Sequence, residues 1–580
     1  MKTPRTFTAL WLVLVLATAM QAESEPDWDI RPDCWSDLVR SVSEILRSQD
    51  AKTGRFGSGI WIVTDQNVLF PLAVAWSVPH PGNPYHKRSD VLQAVMAGGD
   101  ALIDDQDELG RWEFRKKDGS TWGKTYMPWT YSRWVRAFAL IREAMPADRR
   151  ARWEKALTLG YRGIAGSALG RVHNIPTHHA MGLYQAGQVL GRPDWCEQAK
   201  VFMAQVCQAQ NPGGYWSEHH GPVVAYNFVY TEALGIYYAM SGDATVLPAL
   251  EKSSRFHAAF TYPDGSHVET IDERNPYEHG VSLGTVGFSF SPEGRRFLYR
   301  QLGRLRDAGQ PIDADTAAAF ILYGRSGPLA AESRLGTFVL GNNDAVTYDR
   351  RPWFACLSAF HCPVQESRWL QDRQNFVSLF HDRAGLIVGG GNTKLQPGWS
   401  TFVVGRSELL FHRPGDTDPK FTPPAGMWHV PSRATLDPEQ AALQLTYGPE
   451  QCQVRVDLSD PHRAVLVYQA SVSANLPVEA HVTLLPHLGE KWQTASKKGG
   501  RLDGSPWQLG PGESGGWFAH HGWRISVPPS AAIRWPVLPH NPYRKDGRAA
   551  PAEGRIVLTL PFRAGLLRHE VAVEVSPPKP

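Results

Sequence analysis

Two short segments of the chain concentrate side chains that can transfer protons or stabilise negative charge. The first is Arg171–Ala180 and the second is Gly213–Tyr230. The candidates among their side chains are Asn174, His178, His179, His219, His220, Tyr226 and Tyr230. Histidine and tyrosine serve as general acids and bases, and asparagine donates hydrogen bonds to charge that develops in a reaction. These groups exceed what packing requires, and the pattern predicts an active site.

The spacing of these residues predicts that the two segments meet. Asn174 can cap a helix whose apolar spacing continues through 180–190. Tyr226 and Tyr230 are four residues apart, so they share one face of a second helix. The separations Asn174–Tyr226 and His178–Tyr230 are both 52 residues. A hairpin of the two helices would therefore bring the Asn/His end of one against the tyrosine face of the other.

A second group of candidates lies upstream, between Arg111 and Arg136. This segment combines seven basic with seven aromatic residues and holds only two acidic ones. Aromatic faces stack on sugar rings, and Lys and Arg neutralise carboxylates, so the mixture fits an anionic polysaccharide. The expected substrate contacts are Trp122, Lys124, Tyr126 and Trp129. The alternative interpretation is a solvated loop followed by the core face of a helix, to which Trp134 belongs.

The segment His267–His279 supplies further charged side chains. The residues expected to contact substrate at the same mouth are His219, His220, Arg274 and Tyr277. A pair of Asp or Glu side chains would support a different chemistry, the hydrolysis of glycosidic bonds. The candidate carboxylates for hydrolysis are Glu218, Glu269, Asp272 and Glu273.

The elements that must position these groups change type along the chain. From about Trp35 to Gly327 apolar residues recur at helical spacing, in paired segments joined by short turns. This rhythm is typical of a helical solenoid or of a helical toroid. The aromatic residues in the turns favour the toroid, and the expected fold is an incomplete (α/α) toroid. After Pro328, short alternating segments separated by Gly and Pro predict an antiparallel β-sandwich. The expected division is a signal peptide at 1–22, a toroid at 23–327 and a sandwich at 328–580.

Strand patterns in the second half are interrupted by one unusual sequence, the three consecutive glycines 389–391. Glycine at such a place indicates a close approach of backbone or a tight turn. His381 or His361 is expected to point across the interface between the two halves. Cys356 and Cys362 are a candidate disulfide pair. The predicted strands are 336–340, 375–380, 385–388, 400–404, 442–447, 453–457, 464–468, 481–485, 555–559 and 570–574.

Composition restricts the class of protein. A chain of 580 residues is too long for one core, so two or more domains are expected. Lys2 and Arg5 followed by the apolar run Leu10–Leu16 predict a secretory signal, and hence a secreted or periplasmic protein. The formal net charge is only +3, which argues against nucleic acid as a partner. No later segment is apolar enough to span a membrane. The oligomeric state stays open.

The motifs resemble those of the heparinase II/III-like polysaccharide lyases and of related alginate and chondroitin lyases. The resemblance rests on Asn174 with His178 or His179, and on Gly214–His220 followed by Tyr226 and Tyr230. It implies a toroid joined to a β-sandwich, with Asn174 and a histidine neutralising the carboxylate of a uronic acid. The chain lacks the His-Gly-His-x-Asp segment that holds zinc in some members. No cofactor is therefore firmly implied, and a structural zinc or calcium ion stays open.

The implied reaction is β-elimination. The carboxylate is neutralised, a tyrosine removes the C5 proton, and the C4 oxygen leaves. Tyr226 and Tyr230 both suit, and Tyr230 is preferred as the base because it lies 52 residues from His178. Two rival interpretations are a glycoside hydrolase that uses Glu218 with Asp272 or Glu273, and a non-catalytic polysaccharide-binding protein.

Overall fold

A computed structural model describes most of the chain. The described residues are 27–57, 65–115, 121–332, 336–364, 374–391, 397–406, 425–473, 476–539 and 548–575. The predicted signal peptide lies outside them, as do Lys116, Lys117 and the side chain of Trp122. The secreted or periplasmic location therefore stays a prediction. Among the described helices, none combines the length and apolarity needed to cross a membrane.

Helices occupy the first half of the described chain. They are α1 (Arg31–Arg47), α2 (Leu69–Ser77), α3 (Ser89–Asp105), α4 (Pro128–Ile141), α5 (Ala147–Ser167), α6 (Asn174–Val189), α7 (Pro193–Gln208), α8 (Val224–Ser241), α9 (Leu247–Ala259), α10 (Pro292–Asp307) and α11 (Ala314–Tyr323). A short antiparallel hairpin, β1 (Trp112–Arg115) with β2 (Thr121–Thr125), separates α3 from α4. The helical periodicity read from the sequence is thus confirmed, with small shifts at the helix ends.

The helices form two concentric layers. In the inner layer α2, α4, α6 and α8 contact one another in turn, and α11 closes the ring by contacting both α8 and α2. Helix α2 is buried along almost its whole length, as expected for a helix covered on all sides. Between α9 and α10 a 3₁₀ segment, Val286–Phe290, fills a position next to α8 and α11 where a further inner helix would stand. The predicted incomplete toroid is confirmed.

The second half is a sandwich of two antiparallel sheets. Its strands are β3 (Thr337–Leu340), β4 (Ala345–Arg350), β5 (Trp353–Ser358), β6 (Val377–His381), β7 (Gly385–Val388), β8 (Phe402–Val404), β9 (Arg433–Asp437), β10 (Ala442–Tyr447), β11 (Glu450–Asp460), β12 (Arg463–Ala470), β13 (Val478–Leu484), β14 (Lys491–Thr494), β15 (Gly499–Arg501), β16 (Trp507–Leu509), β17 (Trp517–His520), β18 (Trp523–Ser526), β19 (Ala532–Val537), β20 (Arg555–Phe562) and β21 (Arg568–Val575). The nine-stranded sheet has the order β15-β14-β17-β18-β21-β12-β11-β10-β9. The ten-stranded sheet has the order β16-β19-β20-β13-β7-β6-β5-β4-β3, and its tenth strand, β8, pairs with β13. Their facing apolar side chains form a core separate from that of the toroid.

An apolar seam joins the toroid to the sandwich. Aromatic side chains from the end of α9 and the following loop, among them Phe256 and Tyr262, pack against Phe354 and Phe380 of the ten-stranded sheet. Because the seam is buried and aromatic, it holds the two halves in one arrangement. Helix α11 ends before the predicted boundary at 327/328 and β3 begins after it, and the division into two domains stays a prediction.

The glycines 389–391 lie at this seam, and each has a positive φ. A Cβ on Gly390 would stand 2.1 Å from the Nε of Arg555, and one on Gly389 would stand 2.6 Å from Oε1 of Glu269. The predicted close backbone approach is therefore confirmed. Gly390 also bonds to both ends of the toroid segment 269–277. Its N–H donates to Glu269 at 2.9 Å, and its C=O accepts from the N–H of Tyr277 at 3.2 Å.

Two expectations for the sandwich are wrong. His381 does not point across the seam, because side chains alternate along β6. Phe380 faces the seam, so His381 faces the sandwich interior, where its ring meets Trp353 edge-on. Cys356 and Cys362 are buried free thiols and do not form a disulfide.

Candidate active site

Helix α6 places a histidine at the mouth of the toroid. The helix begins one residue earlier than predicted, because its cap is His173 and Asn174, the predicted cap, is its first residue. The carbonyl of His173 accepts hydrogen bonds from the N–H and the hydroxyl of Thr177, at 3.0 and 2.6 Å. With its backbone fixed in this way, His173 directs Nε2 to within 3.1 Å of Oε1 of Glu218. His173 is a site residue that the sequence analysis missed.

A glycine-rich turn carries the partner of His173. Ser217 and Pro222 pair as an isolated bridge, and the N–H of Glu218 donates to the carbonyl of Gly221 at 2.9 Å. The carboxylate of Glu273 then accepts from the backbone N–H groups of His219 and His220 at 3.1 and 2.8 Å. This arrangement fixes the turn and holds the Glu218 side chain at the mouth.

The start of helix α8 is held by the loop that follows α9. One oxygen of Asp272 accepts from the N–H of Val224, the first residue of α8, at 2.7 Å. Its other oxygen accepts from the N–H groups of Arg274 and Asn275, at 2.8 and 2.7 Å. A carboxylate at a helix N-terminus is also favoured by the helix dipole. Asp272 therefore fixes the position of α8 relative to Arg274.

Arg274 and Tyr226 meet as a consequence. The Nη1 of Arg274 donates to the hydroxyl of Tyr226 at 3.1 Å, and the same nitrogen lies 3.9 Å from Oε1 of Glu218. We call His173, Glu218, Tyr226 and Arg274 the mouth cluster. The predicted meeting of the α6 end with the tyrosine face is thus present, and Arg274 reaches the mouth as expected.

The mouth cluster is suited to an anionic ligand. The guanidinium of Arg274 and the imidazole of His173 face a single carboxylate, and Arg171 acts electrostatically on the neighbouring Tyr230. A guanidinium that donates to a phenolic oxygen stabilises the ionised phenolate. Tyr226 is only partly buried, so a ligand at the mouth can reach its hydroxyl. The geometry places a phenolic hydroxyl beside a guanidinium, with the carboxylate of Glu218 between Arg274 and His173.

Tyr230 lies below the mouth and does not share this exposure. It is 2% exposed, and its ring stacks on Trp216 with centroids 4.7 Å apart and planes at 7°. Burial raises the pKa of Tyr230, and the carboxylate of Glu218 raises it further, whereas Arg171 lowers it. A buried tyrosine with a raised pKa is a poor base. The preference for Tyr230 over Tyr226 is therefore not supported.

His178 and His179 are both buried within the toroid. The Nε2 of His178 lies 2.7 Å from the hydroxyl of Ser132 and 3.3 Å from Nη1 of Arg133. Because a guanidinium only donates, this nitrogen accepts, and His178 is neutral. Burial, together with the nearby Arg133 and Arg136, holds the pKa of His178 well below its usual value, and burial lowers that of His179 to about 4. Neither ring belongs to the mouth cluster.

The basic and aromatic segment is divided between surface and core. Arg133 is buried in an ion pair with Asp315, and Arg136 is buried with its guanidinium 4.0 Å over the ring of Phe70. These two cations therefore belong to the toroid interior and not to a solvent-facing patch. Trp134 is buried, as expected.

The predicted contacts in this segment occupy three environments. Lys124 is half-exposed on the hairpin, with Nζ 3.4 Å from Oδ2 of Asp107. The hydroxyl of Tyr126 lies against Gly163 of α5. Trp129 is partly exposed at the start of α4, and its ring meets His178 edge-on at 4.5 Å. Trp129 therefore contacts α6 at His178, one turn beyond Asn174.

The remaining mouth candidates differ in exposure. His219 is half-exposed, and its Nδ1 lies 3.1 Å from Glu273. His220 is exposed, which leaves both histidines at the rim of the mouth. Tyr277 turns the other way, because its hydroxyl donates to Asp264 at 3.2 Å and its backbone bonds to Gly390 at the seam. Tyr277 is therefore a seam residue.

The carboxylates proposed for hydrolysis are mostly committed to structure. Asp272 and Glu273 accept from backbone N–H groups as described above. Glu269 is buried and accepts from Gly390 N–H and from the hydroxyl of Tyr262, both at 2.9 Å. Burial raises the pKa of Glu269. Of the four, Glu218 is the one that faces His173 at the mouth, whereas the other three accept hydrogen bonds that fix the backbone around it.

No metal site accompanies the mouth in the part of the chain that the structure describes. There, no three His, Cys, Asp or Glu side chains are placed to hold an ion.

Comparison with known proteins identifies the fold. No protein-family model and no curated protein matches the chain. Among solved structures, the chain is similar to the chondroitin AC lyase of Streptomyces coelicolor A3 in complex with chondroitin sulphate, with a TM-score of 0.55 and 14% identity over 93% of this chain and 79% of that one. It is also similar to a Paenibacillus xanthan lyase, with a TM-score of 0.51 and 10% identity over 95% of this chain and 58% of that one. The expected polysaccharide-lyase fold, a toroid followed by a β-sandwich, is confirmed.

Proposed function

We propose that the protein is a polysaccharide lyase that cleaves a uronic-acid-containing anionic polysaccharide by β-elimination. The observation that carries the proposal is the hydrogen bond from Arg274 to the hydroxyl of Tyr226 at the mouth of the toroid. The structures of similar fold described above, a chondroitin AC lyase and a xanthan lyase, support the same class of reaction. The N-terminal signal pattern supports action outside the cytoplasm.

The proposed mechanism begins with the carboxylate of the sugar. Arg171, His173 and the amide of Asn174 line the end of α6 and offer positive charge and hydrogen bonds to that carboxylate. Neutralising it makes the C5 proton more acidic, because the electron pair left on C5 is then delocalised into a carboxyl group that carries less charge. Stabilisation of this enolate-like charge is the largest contribution that the site makes.

Tyr226 then acts as base and acid. As phenolate, stabilised by Arg274, it takes the C5 proton, and the C5–H electron pair becomes the C4=C5 double bond. The C4–O bond breaks with its electrons on the leaving oxygen, which receives the proton back from the tyrosine. No water and no cofactor is consumed. The products are a new reducing end and an unsaturated uronic acid.

The test follows both products at once. The protein is incubated with chondroitin sulphate, xanthan and alginate, and ultraviolet absorbance and reducing ends are recorded together. A lyase gives both signals in equal amounts, and Tyr226→Phe abolishes both. Reducing ends without absorbance would refute the proposal in favour of a hydrolase. Binding without either product would identify a non-catalytic polysaccharide-binding protein.

A further inference from the structure

The outer face of the nine-stranded sheet carries a feature that the proposed mechanism does not use. Two adjoining clefts, each of about 800 Å³, lie side by side along β14, β15, β17 and β18. They share Lys491, Trp492, Gln493 and Trp517 in their walls. We call the two clefts together the sandwich groove. All of its lining residues come from the sandwich, and none belongs to the mouth cluster.

Strand alternation places an aromatic ring in the middle of the groove. Along β17, Phe518 and His520 are buried, so Trp517 projects from the opposite, outer face. Its cross-strand neighbour on β18 is Ser526, and the carbonyl of Trp517 accepts from the N–H of Ala495 on the other side. Both neighbours are small. The indole of Trp517 therefore stands above its surroundings with a face available for stacking.

The groove is also basic. Its lining includes six cationic side chains and only two carboxylates, the cations being Arg463, Lys491, Lys497, Lys498, Arg501 and Arg524 and the carboxylates Asp460 and Glu574. The whole chain has a formal net charge of only +3, so positive charge is concentrated here. Among the described residues, Lys491, Lys497 and Arg501 have no carboxylate at ion-pair distance. The pairs made by the others are surface pairs, which an anionic ligand can exchange at small cost.

Charge and aromatic surface coincide at one point. The guanidinium of Arg524 lies 5.9 Å from the ring of Trp517, on the neighbouring strand. Arg524 lies in a cross-strand row with Ala519 and Gln493, so a cation, a small residue and an amide follow one another across the sheet. A pyranose ring stacked on the indole would present its carboxylate or sulphate to this row.

We propose that the sandwich groove is a second, non-catalytic binding site for an acidic polysaccharide. Trp517 stacks on a sugar ring, and Lys491, Lys497 and Arg524 bind the carboxylate or sulphate groups of the chain. The choice of an acidic polysaccharide as ligand rests on the proposed function, whereas the site itself rests on the sheet face. Two sites on one protein raise the effective concentration of a long chain at the mouth, without affecting a substrate too short to reach both.

The test uses the full-length protein with Tyr226→Phe, so that bound polymer is not cleaved. Binding of long chondroitin sulphate is measured by affinity electrophoresis and calorimetry, with neutral dextran as the uncharged probe. Trp517→Ala is expected to weaken binding about fivefold to tenfold, the scale of one lost aromatic stack. Lys491→Ala with Lys497→Ala is expected to weaken binding and to make it less sensitive to salt. The matched control removes two exposed lysines from outer helices α5 and α7, by Lys155→Ala with Lys200→Ala.

Several outcomes would overturn the proposal. Unchanged affinity in both groove variants would do so, as would a wild-type protein that binds neither chondroitin sulphate nor xanthan nor alginate. Single-stranded DNA is used as a further probe. If the groove variants keep their affinity for polysaccharide but lose affinity for DNA, the groove is a nucleic-acid surface instead. In the active enzyme, the groove variants should raise KM for polymer and leave turnover of a tetrasaccharide unchanged. Because binding is measured without turnover, the proposal for the groove can be refuted while the lyase proposal stands. Likewise, the lyase proposal can be refuted while the groove is shown to bind polysaccharide.

Discussion

Replacing Tyr226 by phenylalanine tests the proposed mechanism most directly. The substitution removes only the hydroxyl that accepts from Arg274 at 3.1 Å and keeps the ring in the first turn of α8. Loss of a general acid–base group lowers kcat by at least about a hundredfold, which corresponds to roughly 2.7 kcal/mol in the activation free energy. Because the hydroxyl is at the mouth and leaves no core cavity, the free energy of unfolding should change by less than about 1 kcal/mol.

Tyr230→Phe is the matched control on the same helix face. Its ring remains stacked on Trp216, and only a buried hydroxyl is lost. We expect kcat to stay within about threefold of the wild-type value, since the group is out of reach of a ligand. The comparison separates a catalytic hydroxyl from a merely nearby one, because the two substitutions are chemically identical.

Arg274→Gln extends the same experiment to pH. Without the guanidinium the phenolate is less stable, so the rising limb of the pH–rate profile should move to higher pH. Initial rates are followed by ultraviolet absorbance, and circular dichroism verifies that each variant is folded. If Tyr226→Phe keeps more than about a tenth of the wild-type kcat, the role assigned to Tyr226 is wrong. If only Tyr230→Phe is inactive, the base lies on the predicted face of α8, but it is Tyr230 and not Tyr226.

Three further substitutions test other parts of the structure. Burial lowers the pKa of His267 from 6.5 to about 4, so the unfolded chain takes up a proton that the folded chain refuses, and stability falls as pH drops from 6.5 towards 4. His267→Gln should therefore flatten the dependence of the unfolding free energy on pH in that range, by roughly 3 kcal/mol at most. Gly390→Ala should lower stability by about 1–3 kcal/mol in denaturant titrations, because the new Cβ meets Arg555, whereas Gly166→Ala meets nothing and should not. Glu218→Gln should retain measurable elimination, and complete inactivation of this variant alone would restore the hydrolase hypothesis.

The sequence predicts those helices and strands whose local pattern of apolar residues is regular. Inner helices such as α6 and α8 have long helical periodicities, and strands such as β10 and β12 alternate regularly. The strands between β13 and β20 were not predicted. They are short and rich in lysine, glycine and tryptophan, as in Lys491–Thr494 and Gly499–Arg501, so their pairing depends on neighbours far along the chain.

The candidate site was accessible only in part. The meeting of Asn174's helix with Tyr226 followed from spacing, and Arg274 was expected at the mouth. The sequence could not show that His178 and Tyr230 lie outside the mouth cluster, because their positions result from burial against other helices. His173 was missed although it adjoins Asn174. The signal was available, since Arg171, His173 and Asn174 lie together at the predicted start of that helix.

Gly390 has a consequence for how the two halves can be separated. It bonds to Glu269 and to Tyr277, and Arg274 lies between these two residues. The toroid's own loop is thus completed by backbone from the sandwich. Excising the helices alone would release both ends of that loop, and the position of Arg274 would then depend on bonds within the toroid, such as those made by Asp272. For protein engineering, this means that the helical half cannot be exchanged between proteins of this fold by itself. The glycine turn of the sandwich that bonds to it must be transferred as well.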